Sequence, residues 1–300
     1  MAAPRLARDR MGRLLARDDS GASTLVSLIA LLVVIAIALG VYYATLPSPA
    51  PTPLRAENGD TLRVDYVGYF PETNRVFDTS QASVATDNAT WPKSFSFSWR
   101  TRWTPLSVVL GEHTVVRGFE DGLRGLTEGE AKTITVPPEL GYGLGDPAKI
   151  FAKPLIESVP AVEVMNQSEF TTRYKTTPTS GRIVLDPSWG WTATVTVAGD
   201  VVTVANNPTL GQIVRPYGAW DARVLCIDDL ANGCATQIRV QHLLDPSAAD
   251  TIGTRDSTGK VTFVITSVDP EAGTYTIDYN DPTVGRTLVF QVTVVSISRV

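Results

Sequence analysis

The sequence predicts an α+β protein with one N-terminal transmembrane helix. Three observations carry that expectation: one long uncharged apolar run near the N-terminus, short Val/Thr/Ile runs alternating with polar residues after residue 60, and a short amphipathic segment set between two of those runs. At 43% hydrophobic and 19% charged residues, the 300-residue chain is too apolar to be disordered and has too few apolar runs for a polytopic membrane protein. Its 20 Pro and 23 Gly among the Val/Thr/Ile runs point to a β-rich, turn-rich body.

The apolar run is Leu25 to Leu46, LVSLIALLVVIAIALGVYYATL, long enough as a helix to cross a hydrocarbon core of about 30 Å. Arg5, Arg8, Arg10, Arg13 and Arg17 precede it and little positive charge follows at once. The asymmetry places residues 1–24 in the cytoplasm as a basic tail, residues 25–46 across the cell membrane as a single-pass anchor, and the rest outside. Residues 47–57, opening with PSPAPTP, read as a stiff stalk. A cleaved secretory signal is the alternative, but the run exceeds the usual apolar core of about 7–15 residues and no small-x-small site adjoins it.

A net charge of −5 without a basic, aromatic-interleaved stripe gives no support to a nucleic-acid surface. Two Cys and two His, at no ligand spacing, leave no metal site, and no cofactor is expected. Cys226 and Cys234, in CIDDLANGC, either close a short disulfide loop or remain two buried thiols. Asn88-Ala-Thr and Asn166-Gln-Ser match the N-glycosylation acceptor pattern.

Element by element, DTLRVDYVGYFPETNRVFDTS from Asp60 alternates at Leu62, Val64 and Tyr66, turns at PETN and returns in a strand ending at Phe77-Asp78, a β-hairpin. A polar, aromatic stretch runs from Gln81 to Trp103. PLSVVLG, the amphipathic VVRGFEDGLRGL and the strand KTITVPPELGYG follow, giving strand, helix, strand.

Five segments in order, VDYVGYF (64–70), VFDTS (76–80), VVLGEHTVVRGFEDGLRGLTEGE (108–130), VPPELGYG (136–143) and TLVFQVTVVSI (287–297), resemble the FKBP-type peptidyl-prolyl cis-trans isomerases. The resemblance implies a twisted antiparallel sheet around one short helix, with a proline pocket at its mouth. Carried over, Tyr66, Phe77, Asp78 and Tyr142 are its catalytic residues, and Leu106, Val115, Val116, Phe119 and Phe290 its substrate-binding wall. Tyr142 would donate to the carbonyl preceding the proline, and Asp78 would lie against the twisting amide. Phe119 stands on the floor where many members have Trp, and Leu106 where an aromatic is usual, so the aromatic lining is smaller here.

In compact members the flap after GYG leads straight to the last strand, whereas here GRTLVFQVTVVSI returns only at Gly285. The expected division is a first part of the isomerase domain at 58–146, an inserted β-rich chaperone-like domain at 147–260, and return strands at 261–300. This layout resembles the SlyD-like and archaeal FKBP proteins, whose inserted domain binds unfolded chains. NDPTVGR (280–286) is similar to that group's N-H-P-x-x-G-K turn, with Asp281 in place of the histidine. NNPTLGQ (206–212) echoes it, which suggests a duplicated β-hairpin unit. A short helix is expected near NQSEFTTRY. Around it Val159, Val162, Val164, Met165 and Phe170, then Trp189, Trp191 and Trp220, either form an exposed apolar binding face or fill a small β core.

The scarcity of titratable groups suits this chemistry, because X-Pro rotation breaks amide resonance over a barrier of about 18–20 kcal/mol without moving a proton. A Ser-His hydrolase is disfavoured: there is no G-x-S-x-G elbow, and His113 and His242 read as surface or core residues. Asp228-Asp229 reads as a solvated turn. The expected function is a membrane-anchored, extracytoplasmic isomerase with chaperone activity, its partners being proline-containing unfolded or nascent polypeptides. The alternative is a non-catalytic module that keeps the fold and holds a protein partner.

Overall fold

The computed structural model describes residues 20–47, 52–229, 231 and 233–299. The five arginines of the basic tail and the centre of the proline-rich stalk lie outside the described residues. The chain divides into two compact units, Met1–Thr52 and Pro53–Val300. In the first, the apolar run forms helix α1 (Ser20–Thr45), whose stretch Thr24–Thr45 has a mean hydropathy of 2.9. Length and composition suffice to cross a membrane, a property shared by signal sequences.

The second unit opens with β1 (Thr61–Phe70), β2 (Arg75–Thr79), α2 (Ala82–Thr86), β3 (Leu106–Val109), α3 (Arg117–Leu123) and β4 (Ala131–Val136). Next come β5 (Ile150–Pro154), β6 (Ile156–Pro160), β7 (Val162–Asn166), α4 (Gln167–Tyr174), β8 (Ile183–Leu185), β9 (Thr192–Ala198) and β10 (Val201–Asn206). The chain then forms β11 (Ile213–Val214), β12 (Ala222–Ile227), β13 (Gln237–His242), β14 (Gly253–Arg255), β15 (Val261–Asp269), β16 (Thr274–Asp278) and β17 (Leu288–Ser298). The short helix expected near NQSEFTTRY is α4, closed by a capping box between Asn166 and Glu169.

The first sheet is antiparallel in the order β2-β1-β17-β4, with β3 pairing on the first half of β1. Alternation along β1 sends Leu62, Val64 and Tyr66 into a core shared with Phe119, Leu123, Ile134, Phe290 and Val292. Helix α3 can lie close on β4 because it presents Gly118 and Gly122. A methyl group on Gly122 would meet Ile134 at 2.5 Å, and one on Gly118 would meet Val136 at 2.8 Å. The opposite face is covered by the Gln81–Trp103 stretch, where Val84, Ala85 and Phe97 bury Val67 and Val76.

The remaining strands form three four-stranded antiparallel sheets, and their connectivity is nested. Outbound strands β5, β6 and β7 each join a different sheet, and the chain returns through those sheets in reverse: β7-β10-β9-β8, then β11-β12-β13-β6, then β14-β15-β16-β5. Of residues 261–300, β15 and β16 belong to the last of these sheets, and β17 alone joins the first sheet. The tryptophans resolve to cores: Trp189 and Trp191 pack in the β12–β13 sheet, and Trp220 against Phe263 and Tyr275. Val162 and Val164 stay exposed, while Phe170 is fully buried. Cys226 and Cys234 are joined as a disulfide with Cα atoms 6.5 Å apart, closing the loop between β12 and β13.

Candidate functional site

One cavity of about 470 Å3 opens on the first sheet, and all nine residues expected to form a pocket line it. They arrive from four of the five strands and from two connecting segments: Tyr66 from β1, Phe77 and Asp78 from β2, Leu106 from β3, Val115, Val116 and Phe119 around the start of α3, Tyr142 from the segment after β4, and Phe290 from β17. Residues 66 and 290 are brought together because Gly68 pairs with Phe290 in the β1–β17 register.

The walls are aromatic and tightly interlocked. The Phe290 ring stands edge-on to Phe119, with centroids 4.9 Å apart, and to Phe77 at 5.6 Å, while Tyr66 meets Phe119 edge-on at 6.1 Å. Such edge-to-face pairs add about 0.5–1.5 kcal/mol each beyond area burial and fix the rings. Phe119 is only 3% exposed. Leu106, Val115 and Val116 pack against the same core from the rim.

One side of the cavity is polar. The Tyr66 hydroxyl donates to Asp78 Oδ2 at 2.6 Å, and the Thr79 amide donates to Asp78 Oδ1 at 2.9 Å. Burial, and then the Asp78 charge, push the Tyr66 hydroxyl well above the usual phenol range, so it remains a donor. Arg100 completes the group: its Nη2 lies 2.6 Å from Oδ1 and 2.7 Å from Oδ2 of Asp78. No sequence signal marks Arg100. It sits in the aperiodic Gln81–Trp103 stretch, and only the folding of that stretch over the outer face of the sheet returns it to the pocket mouth.

Tyr142 is half exposed on the rim. Burial, and secondarily the Asp78 charge, raise its hydroxyl above the ordinary value. Among the described residues that hydroxyl has no hydrogen-bond partner, so it is an uncommitted donor facing an apolar hollow. Neither histidine lines the cavity. His113 lies 3.3 Å from Glu120 on the loop before α3, and His242 is buried against Trp220 and Glu157. Asp281 is a surface residue paired with Lys260 at 3.4 Å. The arrangement thus offers three apolar walls, a carboxylate neutralised by a guanidinium, and one free phenol donor: equipment for holding and polarising an amide, with no nucleophile–base pair.

The family model of the FKBP-type peptidyl-prolyl cis-trans isomerases matches residues 52–154. A short-type peptidyl-prolyl cis-trans isomerase from Methanocaldococcus jannaschii is 30% identical over 129 residues, covering 43% of this chain and 69% of that protein. FK506-binding protein 2 from Candida glabrata is 33% identical over 90 residues, and that from Emericella nidulans 32% over 89. Each of these matches covers 30% of this chain and 52% of the relative, so the chain spans about half the length of those two proteins.

Proposed function

The chain belongs to the FKBP-type peptidyl-prolyl cis-trans isomerases, and from that premise we propose that the cavity on the first sheet accelerates X-Pro rotation in unfolded or nascent polypeptides. The observation that carries the reading is the pairing of an aromatic hollow with the neutralised Asp78 carboxylate and the uncommitted Tyr142 hydroxyl at its rim.

The planar amide is held by resonance, and the barrier of about 18–20 kcal/mol is the loss of that resonance on twisting. A site that binds the twisted amide better than the planar one lowers the barrier with no acid, base or nucleophile. The proline ring packs on Phe119, between Phe77 and Phe290. Tyr142 donates to the carbonyl preceding the proline and fixes that end, while the imide side rotates. Asp78 lies against the twisting amide, where the carbonyl carbon becomes more ketone-like and electron-poor. Tyr66 and Arg100 hold the carboxylate in place and offset its charge, which allows a carboxylate to face an apolar wall.

Within this proposal, strands β5–β16 form a body inserted between the flap and β17, as in the SlyD-like layout, and that body captures unfolded chains. Its β7-β10-β9-β8 sheet supports this, since Val162, Val164, Ile183, Leu185 and Val201 stand exposed on it. Helix α1 anchors the protein in a membrane with the isomerase outside, a placement that rests on the arginines before it.

The decisive experiment is a protease-coupled X-Pro assay on the full-length chain in detergent, beside Asp78→Ala and Tyr142→Phe. Acceleration that drops in both variants, with circular dichroism unchanged, supports catalysis. A folded but inert wild-type chain would leave a binding module that keeps the fold. For the inserted body, loss of unfolded-chain capture in Val164→Lys and Ile183→Lys is the expected result.

A further inference from the structure

The segment that carries Tyr142 is held locally by one tight turn, Pro138–Leu140, in which the Gly141 and Gly143 amides donate to the Pro138 carbonyl at 3.1 and 2.9 Å, and it has no regular structure beyond that turn. Gly143, Leu144 and Gly145 follow it, two of the three being glycines, and Leu144 is 70% exposed. Such a sequence leaves a flap free to sample many conformations. A donor that must meet one carbonyl in one orientation loses most of its value if it wanders by an ångström. What holds the flap beyond that turn lies far along the chain, in the turn between β16 and β17.

Asn280, 7% exposed, spends its amide group on the flap. Its Oδ1 accepts from the Asp146 amide at 3.0 Å, and its Nδ2 donates to the Asp146 carbonyl at 3.2 Å and to Asp278 Oδ1 at 2.8 Å. Five residues on, the Gly285 amide donates to the Gly143 carbonyl at 2.8 Å. At Gly285 φ is +76°, and a methyl group there would meet the Gly145 amide nitrogen at 2.8 Å, so only glycine permits this approach.

The same latch recurs twice among the nested sheets. At the end of β10 the Asn206 amide bonds Ala161 and its side chain bonds Pro160. At the end of β13 the His242 amide bonds Leu155 and its ring meets Glu157. Beyond β16 the Tyr279 amide bonds Lys149 and the Asn280 side chain bonds Asp146. Each time, a backbone amide at or just past the end of a hairpin donates to the carbonyl of the residue just before the outbound strand paired with it, and a neighbouring side chain adds a second contact. In the first two cases that residue joins strand to strand. In the third it belongs to the flap.

We infer that Asn280 and Gly285 are positioning residues for X-Pro isomerisation, acting through Tyr142 by fixing the flap that presents its hydroxyl. The inference rests on the isomerase function proposed above.

A double-mutant cycle on the full-length chain in detergent tests it, with kcat/KM on an X-Pro peptide and a thermal melt for each protein. Asn280→Ala should lose about tenfold, the value of one well-aligned hydrogen bond, and Tyr142→Phe a similar amount. Asn280→Ala added to Tyr142→Phe should cost little more, because the group being positioned is already gone. Gly285→Ala, which forces the flap away by steric contact, should behave alike and stands in should Asn280→Ala fail to fold. Wild-type rates in Asn280→Ala, or losses that multiply in the double variant, would overturn the inference, since a general weakening of the fold adds to the loss of Tyr142 and does not replace it. An inert wild-type chain would remove the isomerase proposal itself, and this inference with it.

Discussion

Arg100 and Asp78, 22 positions apart in sequence, form a two-contact ion pair at the mouth of the cavity, with Arg100 Nη2 at 2.6 and 2.7 Å from the two carboxylate oxygens. Both groups are partly open to water, so the pair adds little to stability. Its consequence is chemical: the carboxylate that faces the substrate is held in one orientation and its charge is offset. Arg100→Ala is expected to lower kcat/KM about tenfold, the size of one charge-assisted hydrogen bond, with little change in melting temperature. Arg100→Lys should fall between, because an ammonium can replace Nη2 at the two oxygens but lacks the second nitrogen, Nη1, that reaches towards the Tyr66 hydroxyl and the Thr79 carbonyl. A protease-coupled assay on the three proteins decides it, and equal rates would remove Arg100 from the machinery.

The pH profile follows from the two phenols. Tyr66 and Tyr142 both hold their protons above the ordinary phenol value of about 10, chiefly through burial and then through the Asp78 charge. A raised value keeps the neutral donor form to higher pH. From about pH 7 to 9 kcat/KM should therefore be flat, since neither hydroxyl ionises there. A clear inflection inside that window, measured on a peptide without ionisable side chains, would assign the rate to a different titrating group.

How much of this was legible in the sequence depended on how local the signal was. Alternation at Leu62, Val64 and Tyr66 and the ordered motifs around Phe119, Tyr142 and Phe290 mark their own strands, and the nine expected residues do share one cavity. Arg100 was invisible because its stretch has no periodicity and its position depends on covering the far face of the sheet. The nested sheets were illegible for another reason: Lys153 pairs with Tyr275 and Glu157 with Val240, contacts that no local pattern encodes. The echo of NNPTLGQ in NDPTVGR suggests a duplicated hairpin, and the asparagine that opens each motif, Asn206 and Asn280, supplies the side chain of one latch. The third, ending in His242, carries no matching motif and was found only in the fold.

Helix α3 owes its closeness to β4 to Gly122. Replacing it with Ala improves helix propensity by up to about 1 kcal/mol, but the new methyl would meet three Ile134 side-chain atoms between 2.5 and 2.8 Å. Contact with several atoms near the root of a buried side chain outweighs the propensity gain, for a net cost of about 1–2 kcal/mol. Since Phe119 rides on the same helix, kcat/KM should fall as well. Chemical denaturation of Gly122→Ala checks the first point, and an unchanged or raised midpoint would contradict it.

Acid should act through Asp60. Arg299 bonds both of its oxygens, at 2.8 and 2.7 Å, and the Glu57 amide donates to it at 2.9 Å. Arg299 first, and then the Glu57 amide, lower its pKa to about 2. A folded-state value below the unfolded one of about 3.9 contributes stability that is fully present above that value and is lost as pH falls towards 2. In Arg299→Ala, stability at neutral pH should drop and its slope between about pH 4 and 2 should flatten, so that the two curves converge in acid. Parallel curves would show that the carboxylate is held by other means.

The Cys226–Cys234 bridge closes a loop of sequence separation 8 between β12 and β13. Constraining so short a loop in the unfolded chain is worth about 2–3 kcal/mol. Its strands belong to the β11-β12-β13-β6 sheet, whereas every cavity-lining residue belongs to or flanks the first sheet. Replacing both cysteines with serine should therefore lower the denaturation midpoint, with X-Pro peptide turnover at the wild-type rate below the transition. Parallel loss of turnover and of folding would mean that the pocket and the disulfide-bearing sheet unfold as one cooperative unit, and the melting profile of the paired serine variant distinguishes the two outcomes.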